Sequence, residues 1–425
     1  MRFEEAVAEL EGRKESRMVP DLARILQLAT LLDDPQLSYP TIHVTGTNGK
    51  TTTARAITSL ACAHGITAGL YTSPHLEAVT ERFSVCGVDM TSEEFAVEYE
   101  HLLPFLLLVD SRSEEQVTYF ETLTALAYLW FADRPVGLGV YEVGMGGTWD
   151  ATNLVAGDVG VICPIALDHP ELGATVGEVA SEKAGIIKEG KVAIVREQLA
   201  AADVVLKERA AAVGAELKRE LVDFEVDRRL TAVGGQSLVV RGLFATYDDL
   251  FVPLFGEHAA RNVAAAISAL EALLGQSLNL DAVREALAGL TSPGRLEVVR
   301  RNPLVILDGA HNPAGAEALA VAMREFFTWD RLHVVLAVSA NKDLDGIVRP
   351  LAPLADVAYA ARNMSERTGD AEVIADRFGA EGTPVELFDS VAEASAAALA
   401  AAGPGDCVLV TGSLYTVADA RRSLA

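Results

Sequence analysis

The most informative segment of the chain spans residues 41–60 and reads TIHVTGTNGKTTTARAITSL. Its β-branched run Thr41–Val44 predicts a buried strand, and the apolar spacing after the central turn predicts a helix. The turn ends in Gly49, Lys50 and Thr51, the order in which a loop and a helix N-terminus hold phosphate groups. In such a unit backbone N–H groups face the anion, the lysine adds a positive charge and the hydroxyl can ligate magnesium. The segment therefore predicts a nucleotide-binding domain.

One position departs from the commonest phosphate-loop pattern. That pattern places its first glycine where this chain has Val44, and the glycine lies instead at Gly46. The loop is therefore a shorter variant, which narrows the range of nucleotide enzymes that contain it.

Composition restricts the class of partner. The chain has 425 residues, of which 50% are hydrophobic, and a formal net charge of −25. Such a charge argues against nucleic acid or an anionic membrane as partner, because neutralising phosphates requires surplus Lys and Arg. No apolar run is long enough to cross a membrane, and residues 1–5 lack the apolar core of a signal peptide. We expect a cytoplasmic protein.

The four cysteines are scattered along the chain without a Cys-x-x-Cys pair. We expect all of them to be buried thiols in a reducing compartment, and neither disulfides nor zinc ligands. They are Cys62, Cys86, Cys163 and Cys407.

The chain divides into two α/β parts. After the phosphate loop, strand-like runs alternate with helical runs, which predicts a mostly parallel sheet in a P-loop NTPase-like domain over residues 1–294. Residues 217–255 alternate in polarity and predict a small antiparallel element within it. The breaker cluster at 291–295 marks the boundary, and residues 295–425 predict a smaller Rossmann-like domain.

Four polar clusters follow predicted strands, at the carboxyl ends where open α/β sheets bind ligands. A buried Glu142 at such a strand end is costly unless it is paired or metal-bound, and it suits a magnesium ligand. Each cluster also has an ordinary alternative: a plain turn, a structural histidine at His169, or a solvated Lys183. The clusters are residues 71–76, 141–153, 168–188 and 308–313.

The order of these clusters resembles the Mur ligase superfamily and, within it, the dihydrofolate synthase/folylpolyglutamate synthase family. The resemblance extends from roughly residue 20 to residue 418. The most specific segments are TGTNGKTTT, SPHL, EVGMGGTWDATN, DHPELGATVGEVASEKAGIIK, PGRLE, DGAHNP and GSLYTV. The family commonly has arginine and leucine where this chain has Thr148 and Trp149, which leaves the details of substrate recognition open.

The resemblance implies a role for each matching position. The implied ATP-binding residues are Thr47, Asn48, Gly49, Lys50, Thr51, Thr52, Asn262, Arg295 and Asp308. The implied ligands of two magnesium ions are Thr51, Ser73, Glu142 and His169. The implied pterin-recognition residues are Ser73, Pro74, His75 and Asp150. The implied catalytic residues are Lys50, Lys183, His311 and Asp308, and Lys183 matches a lysine that family members can carry as a carbamate.

The activity implied by the resemblance is an ATP-dependent ligation. L-Glutamate would be added to dihydropteroate, to folate polyglutamates or to both, through an acyl phosphate, with release of ADP and phosphate. The resemblance implies a monomer acting on small molecules alone. One alternative is a Mur-type ligase acting on a UDP-linked peptidoglycan precursor, but only about forty residues precede the loop, too few for a UDP-binding domain. A nucleotide-driven switch is a second alternative, which would not require the later clusters.

Overall fold

The computed structural model describes residues 1–13 and 20–424, which form two compact units. The first unit contains Met1–Arg229, Leu238–Val252 and Arg261–Leu290, and the second contains Leu230–Ser237, Pro253–Ala260 and Thr291–Ala425.

The first unit is built on an eight-stranded sheet with the order β4-β3-β2-β5-β1-β6-β7-β8. All neighbours from β2 to β8 are parallel, and β3 and β4 add an antiparallel edge. The mostly parallel sheet predicted from the alternating pattern is thus confirmed. The strands are β1 (Thr41–Thr45), β2 (Ala68–Tyr71), β3 (Phe83–Val85), β4 (Val88–Asp89), β5 (Leu138–Glu142), β6 (Val159–Ile162), β7 (Val192–Val195) and β8 (Glu216–Arg219).

Helices cover this sheet and bury their apolar faces against it. Three of them begin at a capping box, in which a threonine accepts the backbone N–H of a glutamate whose side chain returns the bond, at Thr91, Thr118 and Thr175. One apolar cluster joins α1, α2, α4 and α5, and another joins α6 and α7. The helices are α1 (Phe3–Glu11), α2 (Ala23–Leu31), α3 (Lys50–Ala63), α4 (Ser92–Asp110), α5 (Tyr119–Asp133), α6 (Val176–Lys183), α7 (Ala200–Val213), α8 (Glu257–Leu274) and α9 (Leu280–Ala288).

A separate three-stranded sheet contains β9 (Glu225–Ala232), β10 (Gly235–Arg241) and β11 (Thr246–Val252) in the order β11-β10-β9. The short connections between these strands join antiparallel neighbours, because a parallel crossover needs a much longer segment. This sheet lies within residues 217–255, although residues 217–219 at the start of that range pair with β7 in the large sheet.

The second unit has a six-stranded sheet with the order β12-β13-β17-β14-β15-β16, parallel except at β12. Its strands are β12 (Glu297–Arg301), β13 (Leu304–Leu307), β14 (Leu332–Leu336), β15 (Val357–Ala360), β16 (Val385–Leu387) and β17 (Cys407–Thr411). Its helices are α10 (Pro313–Phe326), α11 (Leu344–Leu351), α12 (Ala371–Ala380), α13 (Val391–Ala401) and α14 (Leu414–Leu424). This α/β pattern confirms the fold class predicted for the C-terminal part.

The prediction that all four cysteines are thiols is wrong for two of them. Cys62 and Cys86 form a disulfide, with Cα atoms 5.7 Å apart. Cys62 lies in the last turn of the helix that leads into β2, and Cys86 follows β3, which pairs with β2, so the sheet brings together residues that are distant in sequence. Cys163 and Cys407 are buried free thiols, as predicted. The cysteines therefore no longer support a reducing compartment.

Within residues 1–13 and 20–424, no helix is both long enough and apolar enough to cross a lipid bilayer.

Candidate functional site

The phosphate loop connects the end of β1 to the start of α3, and its glycines are required by its geometry. Gly46 has φ 145°, and a Cβ there would lie 2.5 Å from the Cβ of Cys163, on the neighbouring chain segment after β6. Gly49 has φ 92° and immediately precedes the first turn of α3. Thr47 fixes the loop to that segment, because its hydroxyl donates to the carbonyl oxygen of Ala166 at 2.9 Å and accepts from the same residue's N–H at 3.0 Å.

Lys50 lies over the loop. Its Nζ donates to the carbonyl oxygens of Gly46 at 3.0 Å and Thr47 at 3.3 Å. The ammonium group is therefore held at the loop by two neutral carbonyl oxygens. An anionic phosphate oxygen accepts a stronger hydrogen bond than a carbonyl oxygen does, so a bound phosphate can replace them.

Three adjacent strands bring together the polar groups that the sequence predicts as magnesium ligands. Glu142 ends β5, between β1 and β2, and is only 1% exposed. Its Oε1 accepts the Thr51 hydroxyl at 2.8 Å, and its Oε2 accepts the N–H of Ser73 at 3.4 Å. The Glu142 carboxylate and the Thr51 hydroxyl thus lie in direct contact beside the phosphate loop, and they supply oxygen donors of the kind that magnesium prefers.

A cleft of about 260 Å³, part of it open solvent, adjoins the phosphate loop. His169 and Lys183 line it together with Lys50. The lining residues are Gly46, Thr47, Lys50, Gly144, Met145, Ala166, Asp168, His169, Leu172, Val179 and Lys183. His169 Nε2 lies 3.3 Å from Asp168 Oδ2.

Lys183 is a buried amine at the end of α6. It is 4% exposed, and its Nζ donates to the carbonyl oxygen of Gly46 at 3.0 Å, as Lys50 does. Burial and, to a smaller extent, the charge of Lys50 lower the pKa of Lys183 to about 7, against the opposing influence of Asp168 and Asp150. A substantial fraction of this amine is therefore neutral at neutral pH.

Asp150 is committed to the local backbone. Its carboxylate accepts the N–H of Met145 at 2.9 Å and that of Thr152 at 3.0 Å, which holds the glycine-rich turn after β5 in shape. Burial raises the pKa of Asp150, although these hydrogen bonds oppose the rise. Asp150, which the resemblance implies as a pterin-recognition residue, therefore also stabilises the turn after β5.

The loop after β2 contains Pro74 and His75, together with an arginine that sequence reasoning missed. Arg82 is buried and donates from Nε to His75 Nδ1 at 3.0 Å, and its guanidinium lies 5.6 Å from the centre of the Tyr119 ring. No spacing in the sequence indicates this contact, since it depends on the return of β3 alongside β2.

Asn262, on α8, reaches the phosphate loop from a distant part of the chain. A Cβ on Gly49 would lie 2.7 Å from Asn262 Oδ1, so the amide packs directly on the glycine. Asn262 is 2% exposed and accepts a hydrogen bond from Arg196, another residue that the sequence did not single out. Thr52, in the first turn of α3, is also buried.

The second unit gathers the remaining predicted residues. Asp308, after β13, accepts the N–H of Leu296 and that of Ala310, each at 2.8 Å. Burial raises the pKa of Asp308, against the opposing charge of Arg295 and these two amides. His311 Nδ1 donates to the carbonyl oxygen of the intervening glycine at 2.8 Å. Asp308, Arg295 and His311 therefore lie together at one strand end.

Comparisons with known proteins match both parts of the chain. Residues 44–270 match the Mur ligase middle domain, and residues 294–414 match the Mur ligase, glutamate ligase domain. A dihydrofolate synthase/folylpolyglutamate synthase of Mycobacterium tuberculosis is 41% identical over 440 residues, covering 96% of this chain and 90% of the relative.

Solved structures give the same result. M. tuberculosis folylpolyglutamate synthase complexed with ADP superposes with a TM-score of 0.95 at 39% identity, covering 99% of this chain and 97% of the other. An FPGS–AMPPCP–folate complex superposes with a TM-score of 0.85 at 32% identity, covering all of both chains. The family resemblance is confirmed, and the chain belongs to the dihydrofolate synthase/folylpolyglutamate synthase family of the Mur ligases.

Proposed function

We propose that this chain is an ATP-dependent ligase that joins L-glutamate to dihydropteroate, to folates carrying glutamate, or to both, and releases ADP and phosphate. The observation that carries the proposal is the convergence of Lys50, Glu142 and Lys183 on one phosphate loop. The names of the similar proteins, which include complexes with ADP and with AMPPCP and folate, support the substrates.

In the proposed ATP site the loop amides and the N-terminus of α3 face the phosphates, and Lys50 exchanges its carbonyl partners for phosphate oxygens. Asn262 contributes from α8, where it already contacts Gly49. The other first-unit members are Thr47, Asn48, Thr51 and Thr52. Arg295 and Asp308 are proposed as the nucleotide residues of the second unit, on the resemblance.

The proposed magnesium ligands are Thr51, Ser73, Glu142 and His169, for two ions. The contact between the Thr51 hydroxyl and Glu142 supports the fit, because it places two oxygen donors 2.8 Å apart. Bound magnesium would draw negative charge from the phosphates and so lower the barrier to phosphoryl transfer.

We propose that Lys183 carries a carbamate. Only a neutral amine attacks carbon dioxide, and a buried lysine with a pKa of about 7 supplies that form at neutral pH. The amine nitrogen forms a bond to the carbon of carbon dioxide, one C=O bond becomes a C–O⁻ bond and the nitrogen releases a proton, which converts the neutral amine beside Lys50 into an anion able to ligate metal. The position of Nζ at the rim of the phosphate loop supports this role.

The proposed reaction has two steps. A carboxylate oxygen of the pterin acid attacks the γ-phosphorus of ATP, the bond to the ADP oxygen breaks, and an acyl phosphate forms. The glutamate amine then loses a proton and attacks the acyl carbon, the carbon–oxygen bond to phosphate breaks, and phosphate leaves. Lys50 stabilises charge on the transferring group in the first step. Asp308 and His311 are proposed as catalytic residues of the second unit, and Ser73, Pro74, His75 and Asp150 as the residues that recognise the pterin acid.

An ADP-release assay with ATP and glutamate tests the reaction. Dihydropteroate, tetrahydrofolate and a UDP-muramyl peptide are offered in turn, and we expect one or both of the first two to stimulate release. Stimulation by the UDP-linked peptide alone would overturn the folate assignment. ADP release that none of the three acids affects would favour a nucleotide-driven switch.

We further propose a monomer that acts on small molecules in the cytoplasm, where its proposed substrate ATP is made. Light scattering coupled to size exclusion tests the monomer, which a mass near twice 45.1 kDa would contradict.

We also propose a domain boundary after residue 294. The two family matches, which end at residue 270 and begin at residue 294, support it.

A further inference from the structure

A buried amide is packed against the phosphate loop at its junction with α3. The Asn262 side chain lies so close to Gly49 that a Cβ there would be 2.7 Å from Oδ1 and 3.0 Å from Nδ2. Which of these two atoms faces the loop determines whether the amide offers a donor or an acceptor there. The orientation of Asn262 is therefore a functional variable of the proposed nucleotide site.

Arg196 sets that orientation. It directly follows β7, where its N–H donates to the carbonyl oxygen of Ile162 at 2.9 Å and continues the parallel ladder. Its side chain, 3% exposed, donates from Nη1 to Asn262 Oδ1 and from Nε to Glu220 Oε2 at 2.9 Å. Because a guanidinium has only donors, the Asn262 atom that accepts from Arg196 must be the oxygen, and the amide nitrogen, which a Cβ on Gly49 would meet at 3.0 Å, keeps its N–H donors at the loop.

Glu220 holds Arg196 in turn. It follows β8, is 1% exposed at its side chain, and accepts the Arg261 Nε at 2.7 Å and the N–H of Glu197 at 2.7 Å in addition to Arg196. Burial alone would raise the pKa of Glu220, but the charges of Arg196 and Arg261 and these hydrogen bonds lower it overall. The carboxylate is thus ionised at neutral pH, with donors on both oxygens.

A buried ion pair of this kind contributes little net stability, because desolvation offsets the attraction. Its geometry, however, is well determined, since the planar guanidinium bonds a fixed carboxylate on one side and a fixed amide on the other. The arrangement favours an orienting role over a purely stabilising one.

We propose that Arg196 and Glu220 are positioning residues, which hold the Asn262 amide with its nitrogen as a donor to the nucleotide. The inference rests on the proposed nucleotide site and extends it to two residues that do not themselves touch the loop. Arg196 acts through Asn262, and Glu220 acts through Arg196.

The test is a double-mutant cycle read by calorimetric ADP binding, which does not require the ligase reaction. Arg196→Met should weaken ADP binding about tenfold, the usual cost of one lost hydrogen bond to a charged ligand. Asn262→Ala should weaken it as much, and adding Arg196→Met to Asn262→Ala should have no further effect. A further tenfold loss in the double variant, or wild-type affinity in Arg196→Met, would overturn the proposal.

A second variant and a second measurement guard against misfolding. Arg196→Lys keeps a cation beside Glu220 but cannot bond both acceptors at their fixed positions, so it should fold and still bind ADP several-fold more weakly. Wild-type affinity there would also overturn the proposal. In steady state, Arg196→Met should raise the KM for ATP more than it lowers kcat, which a merely loosened fold would not do selectively.

The matched control is Glu271→Gln, on the same helix as Asn262. Glu271 is a buried carboxylate that accepts the Tyr247 hydroxyl at 2.6 Å and the N–H of Phe244 at 3.3 Å. Its replacement should lower the melting temperature and leave ADP affinity unchanged. An equal loss of ADP affinity in Glu271→Gln would show that loosening of α8 is the cause and would overturn the positioning role.

Failure of the ligase proposal is distinguishable from failure of this one. If no pterin acid stimulates ADP release in the unaltered protein, the ligase reaction fails while the variant comparison by ADP binding stands. Failure of the unaltered protein to bind ADP would overturn both.

Discussion

Two carboxylates occupy corresponding places in the two units and have different partners. Glu142 ends β5 in the first unit and Asp308 follows β13 in the second, each with a glycine within two residues. Both are buried. Glu142 accepts the hydroxyl of Thr51 at 2.8 Å and, in a longer bond of 3.4 Å, the N–H of Ser73, whereas Asp308 accepts two backbone N–H groups, those of Leu296 and Ala310, at 2.8 Å each.

The difference indicates how much each carboxylate contributes to folding in addition to its proposed role at a ligand. A hydroxyl can rotate and become a second ligand to a cation that binds the carboxylate, so the Glu142–Thr51 pair can open without loss of the backbone. The amides that Asp308 accepts have no such freedom, and removing their acceptor leaves buried donors unsatisfied. Changes at Glu142 should therefore affect activity first, and changes at Asp308 should affect folding as well.

The largest effect is expected from Glu142→Gln, which keeps the size of the side chain and removes its charge. Loss of one group that stabilises charge in the transition state typically costs on the order of 100- to 1,000-fold in rate. We expect ADP release to fall by that amount, with a melting temperature near that of the unaltered protein. Lys50→Ala serves as the positive control. Near-normal turnover in either variant would contradict the assigned roles.

One glycine beside each carboxylate site can be compared by the cost of adding a methyl group. Gly46→Ala should cost about 3 kcal/mol, because its φ is 145° and its Cβ would meet the Cβ and backbone of Cys163 at 2.5 and 3.0 Å. Gly309→Ala should cost about 1 kcal/mol, because the atoms it would meet at 2.7 Å belong to the movable ends of Arg295 and Leu414.

Urea unfolding measures both glycine variants. Gly65→Ala is the control for the cost of a positive φ without a steric clash. Gly65 has φ 76°, and a Cβ added there would have nothing within 4 Å. If Gly46→Ala proved no more destabilising than Gly65→Ala, close packing of the loop against Cys163 would not be the reason for the glycine.

Local patterns in the sequence predict the phosphate loop and the two strand ends that hold the carboxylates. The β-branched run before Gly46 and the Gly49–Thr51 turn predict β1, the loop and α3, because these depend on residues adjacent in the chain. The carboxylates at the ends of β5 and β13 are predictable for the same reason, since an apolar run followed by an acid marks a strand end.

Contacts made across the sheet could not be predicted in this way. Arg196 and Asn262 meet only because β7 lies two strands from β1 and α8 packs over the loop, and neither has a local signal beyond the charged residue that follows an apolar strand. The Cys62–Cys86 disulfide likewise depends on the antiparallel return of β3. The burial of Asp150 could not be predicted either. An acid in a glycine-rich turn is usually exposed, but the Asp150 carboxylate is buried and hydrogen-bonded to the backbone of that turn.

A moderate effect is expected from Asp308→Asn. The amide offers one acceptor in place of two and directs its NH₂ group at a backbone donor, so one of the N–H groups of Leu296 and Ala310 loses its partner. The expected loss is about 2 kcal/mol in the free energy of unfolding, measured in urea. Glu142→Gln is the matched variant and should lose much less. The reverse order of the two losses would contradict the distinction between the two carboxylates.

The smallest effect concerns His43, on the strand that leads into the phosphate loop and pairs with β5. Its Nε2 donates to the Thr152 hydroxyl at 2.8 Å, since that hydroxyl donates to Asp150. Burial, with a smaller contribution from the charge of Lys188, lowers the pKa of His43 to about 3 from an ordinary value of 6.5. Above pH 6.5 the imidazole is neutral in both the folded and the unfolded chain, and its contribution to stability is complete.

As the pH falls from 6.5 towards 3, the unfolded chain takes up a proton that the folded protein excludes, so stability is lost at up to about 1.4 kcal/mol per pH unit. His43→Gln can still donate to Thr152 but cannot be protonated, so it should escape this loss. Unfolding free energies at about pH 7.5 and about pH 5.5 should therefore differ by roughly 1.4 kcal/mol less in the variant than in the unaltered protein. Equal differences would mean that the folded protein protonates this imidazole as readily as the unfolded chain does, and that the strand beneath the phosphate loop tolerates a buried cation beside Thr152.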